Sequence, residues 1–178
     1  GSGRNITSQV ILEKKNEKLA FNDQLPLLPN RQKILLDISL KNPTACVIFN
    51  VDEFKVINDF FGMESGDKIL QDISKWFLRL DFETYRIDGD EFAILYYEDI
   101  PIENIKHNIE NLLSLFEEEL FHIEDETIHI QLSAGIAKVE DKLLTKADIA
   151  INYAREQKIK VSVYEENANI EQKYKHNI

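Results

Sequence analysis

Asp88-Gly89 lies between two β-rich runs, Thr84-Tyr85-Arg86-Ile87 and Asp90-Glu91-Phe92-Ala93-Ile94-Leu95-Tyr96-Tyr97. Asp-Gly in such a setting is a strong hairpin signal, because both residues tolerate positive φ. A hairpin makes the two runs adjacent antiparallel strands. The rest of the chain alternates strand-like and helical segments. One antiparallel pair in the middle of that alternation argues against a doubly wound parallel sheet, and the glycine fingerprint of dinucleotide-binding folds is absent. The expected architecture is an α/β (α+β) sandwich, with helices flanking a mixed sheet.

Residues 5–20 carry Ile6, Val10, Ile11 and Leu19 among Lys and Glu, and read as a leading helix or a frayed leader. Pro26 and Pro29 make Asp23–Arg31 a structured loop. Asn30 is placed to cap a helix from Arg31 to Lys41, which Asn42-Pro43 stops. The continuous apolar run Ala45–Phe49 predicts a buried central strand. A helical stretch follows at Phe54–Phe61, then a helix opened by Gly66-Asp67 and running to Leu80. After the hairpin the pattern predicts a helix from Pro101 to Phe121 and a strand from Thr127 to Ala137. Thr145 is expected to cap a helix through Gln157, and a last strand spans Val161–Tyr164.

The chain has 178 residues, with 32 Asp and Glu against 21 Lys and Arg, a net charge of −11. That balance disfavours general binding to nucleic acid or to anionic membranes, both of which need basic faces. One cysteine, Cys46, excludes an internal disulfide framework and a cysteine-built zinc site. His107, His122, His129 and His176 are too scattered for a histidine metal cluster. No apolar run approaches the roughly 20 residues of a membrane span, and no signal peptide is read. Gly1-Ser2-Gly3 reads as an expression scar, and a reducing, cytoplasmic setting is expected.

Two acidic groups follow strand-like segments: Asp52-Glu53, with Asn50 just before, and Asp88, Asp90 and Glu91 at the hairpin. If the strands are neighbours, these groups converge and suit a hard cation such as Mg²⁺ bridging to phosphates. Simple solvation of strand-end acids is the competing explanation. Asn58 and Asp67 flank a glycine-punctuated loop. An amide and a carboxylate can read a purine edge, although Asn and Asp near glycines also serve as turn and cap residues.

The order of these pieces resembles one family. Asn50–Gly62 followed by Gly66-Asp67 resembles the D-x-D-x-F-K-x-I-N-D-x-x-G…G-D stretch of GGDEF domains, the diguanylate cyclase family. Arg86–Phe92 resembles its R-x-G-G-D-E-F signature, and Asp23–Arg31 its entry motif D-x-L-T-G-L-P-N-R. Ser133–Ala137 resembles its late strand, and Ala147–Ala150 its last helix. The resemblance covers residues 20–164 and implies the palm-like sandwich of nucleotide cyclases, a central, mostly antiparallel sheet flanked by helices. It implies condensation of two GTP into cyclic di-GMP by two domains meeting face to face. Guanine would be read by Asn58 and Asp67. Mg²⁺, entering with the nucleotide, would be held by the side chain of residue 50, the Val51 carbonyl and Asp90. Asp90 and Glu91 would be the catalytic pair, with Glu91 beside the reacting hydroxyl. The hairpin turn at Asp88-Gly89 and the cation at Arg155 would take the phosphates.

Departures from the pattern fall on this chemistry. The metal aspartate is Asn50, which weakens the expected hold on Mg²⁺. The first signature glycine is Asp88, whose charge would repel a phosphate by about 4 kcal/mol at 4 Å and an effective dielectric near 20. The phosphate lysine becomes Arg155, the following glycine Lys158, and a second cation Ile159, with Lys160 nearby. An inhibitory product site would start at Arg79, but its aspartate position holds Phe82. Tyr164–Asn167 and Lys173–Ile178 resemble the connector into an EAL phosphodiesterase domain. The division expected is a scar and signalling helix at 1–20, a GGDEF domain at 21–164 and a connector at 165–178. Three functions are compatible with these residues: a degenerate GTP-binding or regulatory module, a working cyclase, and a nucleotide-free interaction module.

Overall fold

The computed structural model describes residues 28–165. The leading helix, the first part of the entry loop and the tail from residue 166 lie outside the described residues.

Helix α1 (Arg31–Lys41) starts as expected, with the Asn30 side chain accepting from the Lys33 N–H at 3.1 Å. It ends on Asn42 in the left-handed region, at φ 51°, ahead of Pro43. Strand β1 (Ala45–Val51) is buried along its whole length. Helices α2 (Phe54–Phe61) and α3 (Met63–Leu78) follow, then strands β2 (Thr84–Asp88) and β3 (Glu91–Tyr96) and helix α4 (Ile102–Glu117). Strands β4 (Phe121–Ile123), β5 (Glu126–Ile128) and β6 (Leu132–Ala137), helix α5 (Leu143–Gln157) and strand β7 (Val161–Val163) complete the order.

The main sheet runs β2-β3-β1-β6-β7, and only the β6–β7 pair is parallel. This is the mixed sheet that the hairpin predicts, mostly antiparallel as the resemblance implies. Alternation along β1 divides the interior in two. Val47 and Phe49 face Ile69, Ile73 and Phe77 of α3 and Ile105 and Ile109 of α4. Cys46 and Ile48 face Ile34 of α1 and Ala147, Ala150 and Ile151 of α5. Each such fully buried aliphatic or aromatic side chain contributes about 1.5–3 kcal/mol. Gly135 of β6 lets α5 lie directly on the sheet, since a Cβ there would stand 2.2 Å from the Ile151 backbone nitrogen. No helix among the described residues is long and apolar enough to cross a membrane.

Four local expectations need correction. Helix α3 begins at Met63, so Gly66 lies inside it and does not open it. Helix α4 stops at Glu117, and the stretch from Phe121 to Ile128 is a separate two-stranded hairpin, β4–β5. The strand expected from Thr127 to Ala137 is therefore two strands with a break at 129–131. Helix α5 begins at Leu143 without a side-chain cap, because Leu143 and Leu144 are drawn into the core ahead of Thr145.

The central hairpin is also shifted. A bulge at Ile87 breaks the register between Arg86 and Asp88, and Asp88 pairs with Glu91. The turn residues are thus Gly89 and Asp90, and neither Asp88 nor Gly89 takes positive φ.

Candidate functional site

Sheet register gathers the site. Antiparallel pairing of β1 with β3 sets Asn50 opposite Glu91. The Asp90 carbonyl accepts from the Val51 N–H at 3.1 Å and from Asn50 Nδ2 at 3.5 Å. Of the two acidic groups predicted to converge, Asp52, Glu53 and Asp90 come to one pocket at this end of the sheet, and Asp88 does not. A pocket of ≈ 710 Å³ opens there. Asn50, Val51 and Asp90 line it from the strands, and Arg155 and Lys158 line it from the end of α5.

Burial shapes the acids around this pocket. Asp52 also lines it, and its Oδ1 accepts from Ser133 Oγ at 2.6 Å. Burial pushes its carboxyl upward, against the pull of the Ser133 bond and the Lys160 charge. Glu91 is largely buried, with its side chain 13% exposed. Burial first, then the charges of Asp148 and Asp90, push its carboxyl up to about 7, while Arg155 opposes them. Arg155 Nη1 lies 3.9 Å from Glu91 Oε2.

The residues expected from sequence to hold a divalent metal, Asn50, Val51 and Asp90, all line the pocket. The Asn50 amide oxygen, the Val51 carbonyl and the Asp90 carboxylate give one anionic and two neutral oxygens. Among the described residues no group of three or more His, Cys, Asp or Glu side chains is arranged to hold a metal ion. Mg²⁺ prefers six oxygens and keeps its waters unless phosphates join. The donor set thus fits Mg²⁺ only in company with a phosphate-bearing ligand.

Asp88 and Gly89 lie outside the pocket lining, and both are exposed. Asp88 Oδ1 accepts from the Gly89 N–H at 2.9 Å, so the carboxylate occupies a turn donor that could face an anion. Arg86 donates from Nε and Nη2 to the Gly89 carbonyl at 3.1 and 2.8 Å, closing the turn on itself.

Asn58 and Asp67 also lie outside the lining. Asn58 is half-buried on α2, and its Oδ1 is buried without a hydrogen-bond partner among the described residues. The space it uses exists because residue 66 lacks a side chain. A Cβ on Gly66 would stand 1.8 Å from Asn58 Oδ1. Asp67, the next residue, is exposed. An unpartnered buried acceptor costs about 1–3 kcal/mol, which a ligand donor would recover.

Arg79 ends α3 and pairs at 3.4 Å with Glu119. Phe82 packs against the core, its ring 5.1 Å from that of Tyr96, so this position offers no carboxylate. Sequence reasoning assigned no role to Lys55, His129 or Gln131, which also line the pocket. His129 and Gln131 enter from the β5–β6 connection, a long-range placement with no local signature.

The family model described as "Diguanylate cyclase, GGDEF domain" matches residues 20–160. The chain belongs to the GGDEF domain family. This GGDEF domain is 32% identical over 150 residues to a diguanylate cyclase of Vibrio cholerae, covering 78% of this chain and 46% of the relative. It is 29% identical over 171 residues to the signalling protein YkoW of Bacillus subtilis, covering 86% of this chain and 21% of the relative. The chain thus spans less than half the length of these curated relatives. Its fold is similar to the GGDEF domain of Pseudomonas aeruginosa TpbB, with a TM-score of 0.68 and 25% identity, covering 83% of this chain and 95% of that one. It is also similar to the active GGEEF domain of a Vibrio cholerae diguanylate cyclase, with a TM-score of 0.61 and 26% identity, covering 79% of this chain and 99% of that one.

Proposed function

We propose that this GGDEF domain binds GTP across the pocket and acts in cyclic-di-GMP signalling as a GTP-binding, regulatory module with weak or no cyclase activity. The observation that carries the reading is the metal donor set. Asn50 brings an amide to the floor of the pocket, so Asp90 is the one carboxylate in that set.

The residues divide the work. Asn58, with its unpartnered Oδ1, and Asp67 would read the guanine edge. Arg155 would balance phosphate charge. Asn50, Val51 and Asp90 would hold Mg²⁺, which supplies charge neutralisation when bound with the nucleotide. Glu91, pushed up to about 7, can exchange a proton near neutral pH and would lie beside the reacting hydroxyl. Asp88 works against this arrangement, because its carboxylate already accepts the Gly89 N–H. Any residual condensation needs two domains face to face, hence a homodimer. In the full-length protein an EAL phosphodiesterase domain would follow the tail.

A working cyclase is the second reading, favoured by the Asp90-Glu91 pair at the start of β3. The two readings separate in one experiment. Calorimetry with GTP and ATP, with and without Mg²⁺, measures binding, and a cyclic di-GMP assay on the same sample measures turnover. GTP binding preferred over ATP, with little product, is expected. Rapid product formation would establish the cyclase, and no nucleotide binding would leave a protein-interaction module.

A further inference from the structure

Helix α1 is apolar on more sides than the fold uses. Ile34 is fully buried against the sheet, and Ile38 packs on the same core. Leu36 and Leu40, one turn apart on the opposite side of the helix, are 51% and 68% exposed. A surface helix ordinarily turns a polar face to water, and one that is apolar all round is ordinarily covered. Lys33, Leu36, Asp37 and Leu40 fall on one stripe, at i, i+3, i+4 and i+7. Tyr97, also exposed, borders that stripe, because its side chain is hydrogen-bonded to Tyr85 and Tyr85 in turn bonds Asp37.

The charge on this face has the opposite sign to the chain. Helix α1 carries Arg31, Lys33 and Lys41 against Asp37 alone, 3 − 1 = +2, in a chain of net charge −11. Asp37 is sunk to 1% exposure, and Lys33 and Lys41 share it at 2.9 and 3.8 Å while staying nearly half exposed. One carboxylate thus serves two ammoniums, one at each end of the leucine pair and about 12 Å apart along the helix. Glu83, 3.9 Å from Lys41, offsets that end in part. Leucine flanked by ammonium is what the stripe shows to water, and patches of this kind mark interaction surfaces.

The same charges select the occupant. A second copy seated on this stripe would set lysine against lysine. A flat anionic lipid surface would also meet the exposed acids around it, Glu83 beside Lys41 and Glu98 beside Tyr97. A single helix, about 10–12 Å across, meets the stripe alone.

We propose that this stripe of α1 is a docking surface for an acidic amphipathic helix of a partner protein. The partner's apolar side chains cover Leu36, Leu40 and Tyr97, and its carboxylates meet Lys33 and Lys41. None of these five residues lines the pocket, so the proposal is independent of the GTP-binding reading.

The probe is a synthetic helical peptide of about 14 residues, with leucine at i, i+3, i+4 and i+7 and glutamate elsewhere. Its control carries lysine in place of glutamate. Fluorescence anisotropy with the full chain should show the glutamate peptide bound at least about tenfold more tightly than the control, and more weakly as salt is raised. The Leu36→Gln/Leu40→Gln variant should lose about tenfold in affinity for it, with Tm and GTP binding unchanged because both leucines are exposed. Equal binding by the variant and the unaltered chain, or no binding by the unaltered chain, overturns the proposal. Two further results also overturn it by naming another occupant. One is a dimer in sedimentation that the double variant dissociates. The other is binding of the unaltered chain, and not the variant, to phosphatidylglycerol vesicles in place of the peptide.

Discussion

Replacing Gly66 by alanine should separate stability from recognition. Gly66 is buried inside α3, and a Cβ there would come within 1.8 Å of Asn58 Oδ1 and 3.2 Å of Phe54 Cζ. The first contact cannot persist. It is with the end of the Asn58 side chain, whose Cγ would also stand at 3.0 Å, so Asn58 must rotate away from the helix. Phe54 needs to yield only a few tenths of an ångström. Alanine is favoured over glycine in a helix interior by roughly 1 kcal/mol. Releasing the buried, unpartnered Oδ1 to water also favours the variant. Gly66→Ala should therefore keep or raise its Tm, by about 2–4 °C for each kcal/mol gained. Recognition should fail in the same protein. With Asn58 displaced, the preference for GTP over ATP should fall at least tenfold, which corresponds to about 1.4 kcal/mol. Thermal denaturation and paired GTP and ATP titrations measure both quantities. Unchanged discrimination would refute the assignment of Asn58, and a fall in stability beyond about 2 kcal/mol would refute the claim that its rotation is inexpensive.

Asp67→Ala should likewise remove most of the preference for GTP over ATP, with little effect on stability because Asp67 is exposed; paired titrations check this. Glu91 titrates higher in the fold than in the unfolded chain, so its contribution is most favourable below its ordinary value of 4.5 and is lost as pH rises to about 7. In metal-free buffer Glu91→Gln should remove that slope, gaining at most about 3 kcal/mol above pH 7, read by denaturant titration across pH. Asp37 behaves in the opposite sense. Its buried carboxylate accepts from Tyr85 Oη at 2.5 Å and from Lys33 Nζ at 2.9 Å, and these bonds hold it below the ordinary carboxylate range. The stability it gives is present above that range and lost as pH falls through its folded value. Tyr85→Phe should weaken the acid-side slope and cost about 1–3 kcal/mol, measured by the same titrations.

Much of the fold was legible because local and global signals agreed. The apolar run at β1, the Asn30 cap and the helical spacing of Ile69, Ile73 and Phe77 each pointed to the element that formed. The β4–β5 hairpin escaped notice for physical reasons. Its strands are three residues each, too short for a period, and its turn uses Glu124 at φ 57° where glycine or asparagine would have announced it. Phe121 and Ile123 also continued the apolar sequence of α4. The Asp88-Gly89 turn was displaced by one residue because a bulge at Ile87 is invisible in a turn dipeptide.

The site was legible in part. Asn50, Val51, Asp90 and Arg155 meet at one pocket, as the ordered motifs implied. The dependence of Asn58 on Gly66 was not readable, because it arises from two helices packing together. Nor was the hydrogen bond from the Gly89 N–H to Asp88, which is a matter of side-chain rotamer. Lys158 stood out only as a missing glycine. Its left-handed backbone and its place on the pocket wall belong to the folded chain.

The most direct test of the central claim is cyclic di-GMP production by the unaltered domain and by the Asn50→Asp/Asp88→Gly double variant, side by side with saturating GTP and Mg²⁺. The double variant regains a second carboxylate in the metal donor set and frees the Gly89 N–H from its internal acceptor. A gain of at least tenfold, or about 1.4 kcal/mol of barrier, is expected. Rapid turnover by the unaltered domain, equal to that of the double variant, would contradict the account and identify the natural domain as a working cyclase.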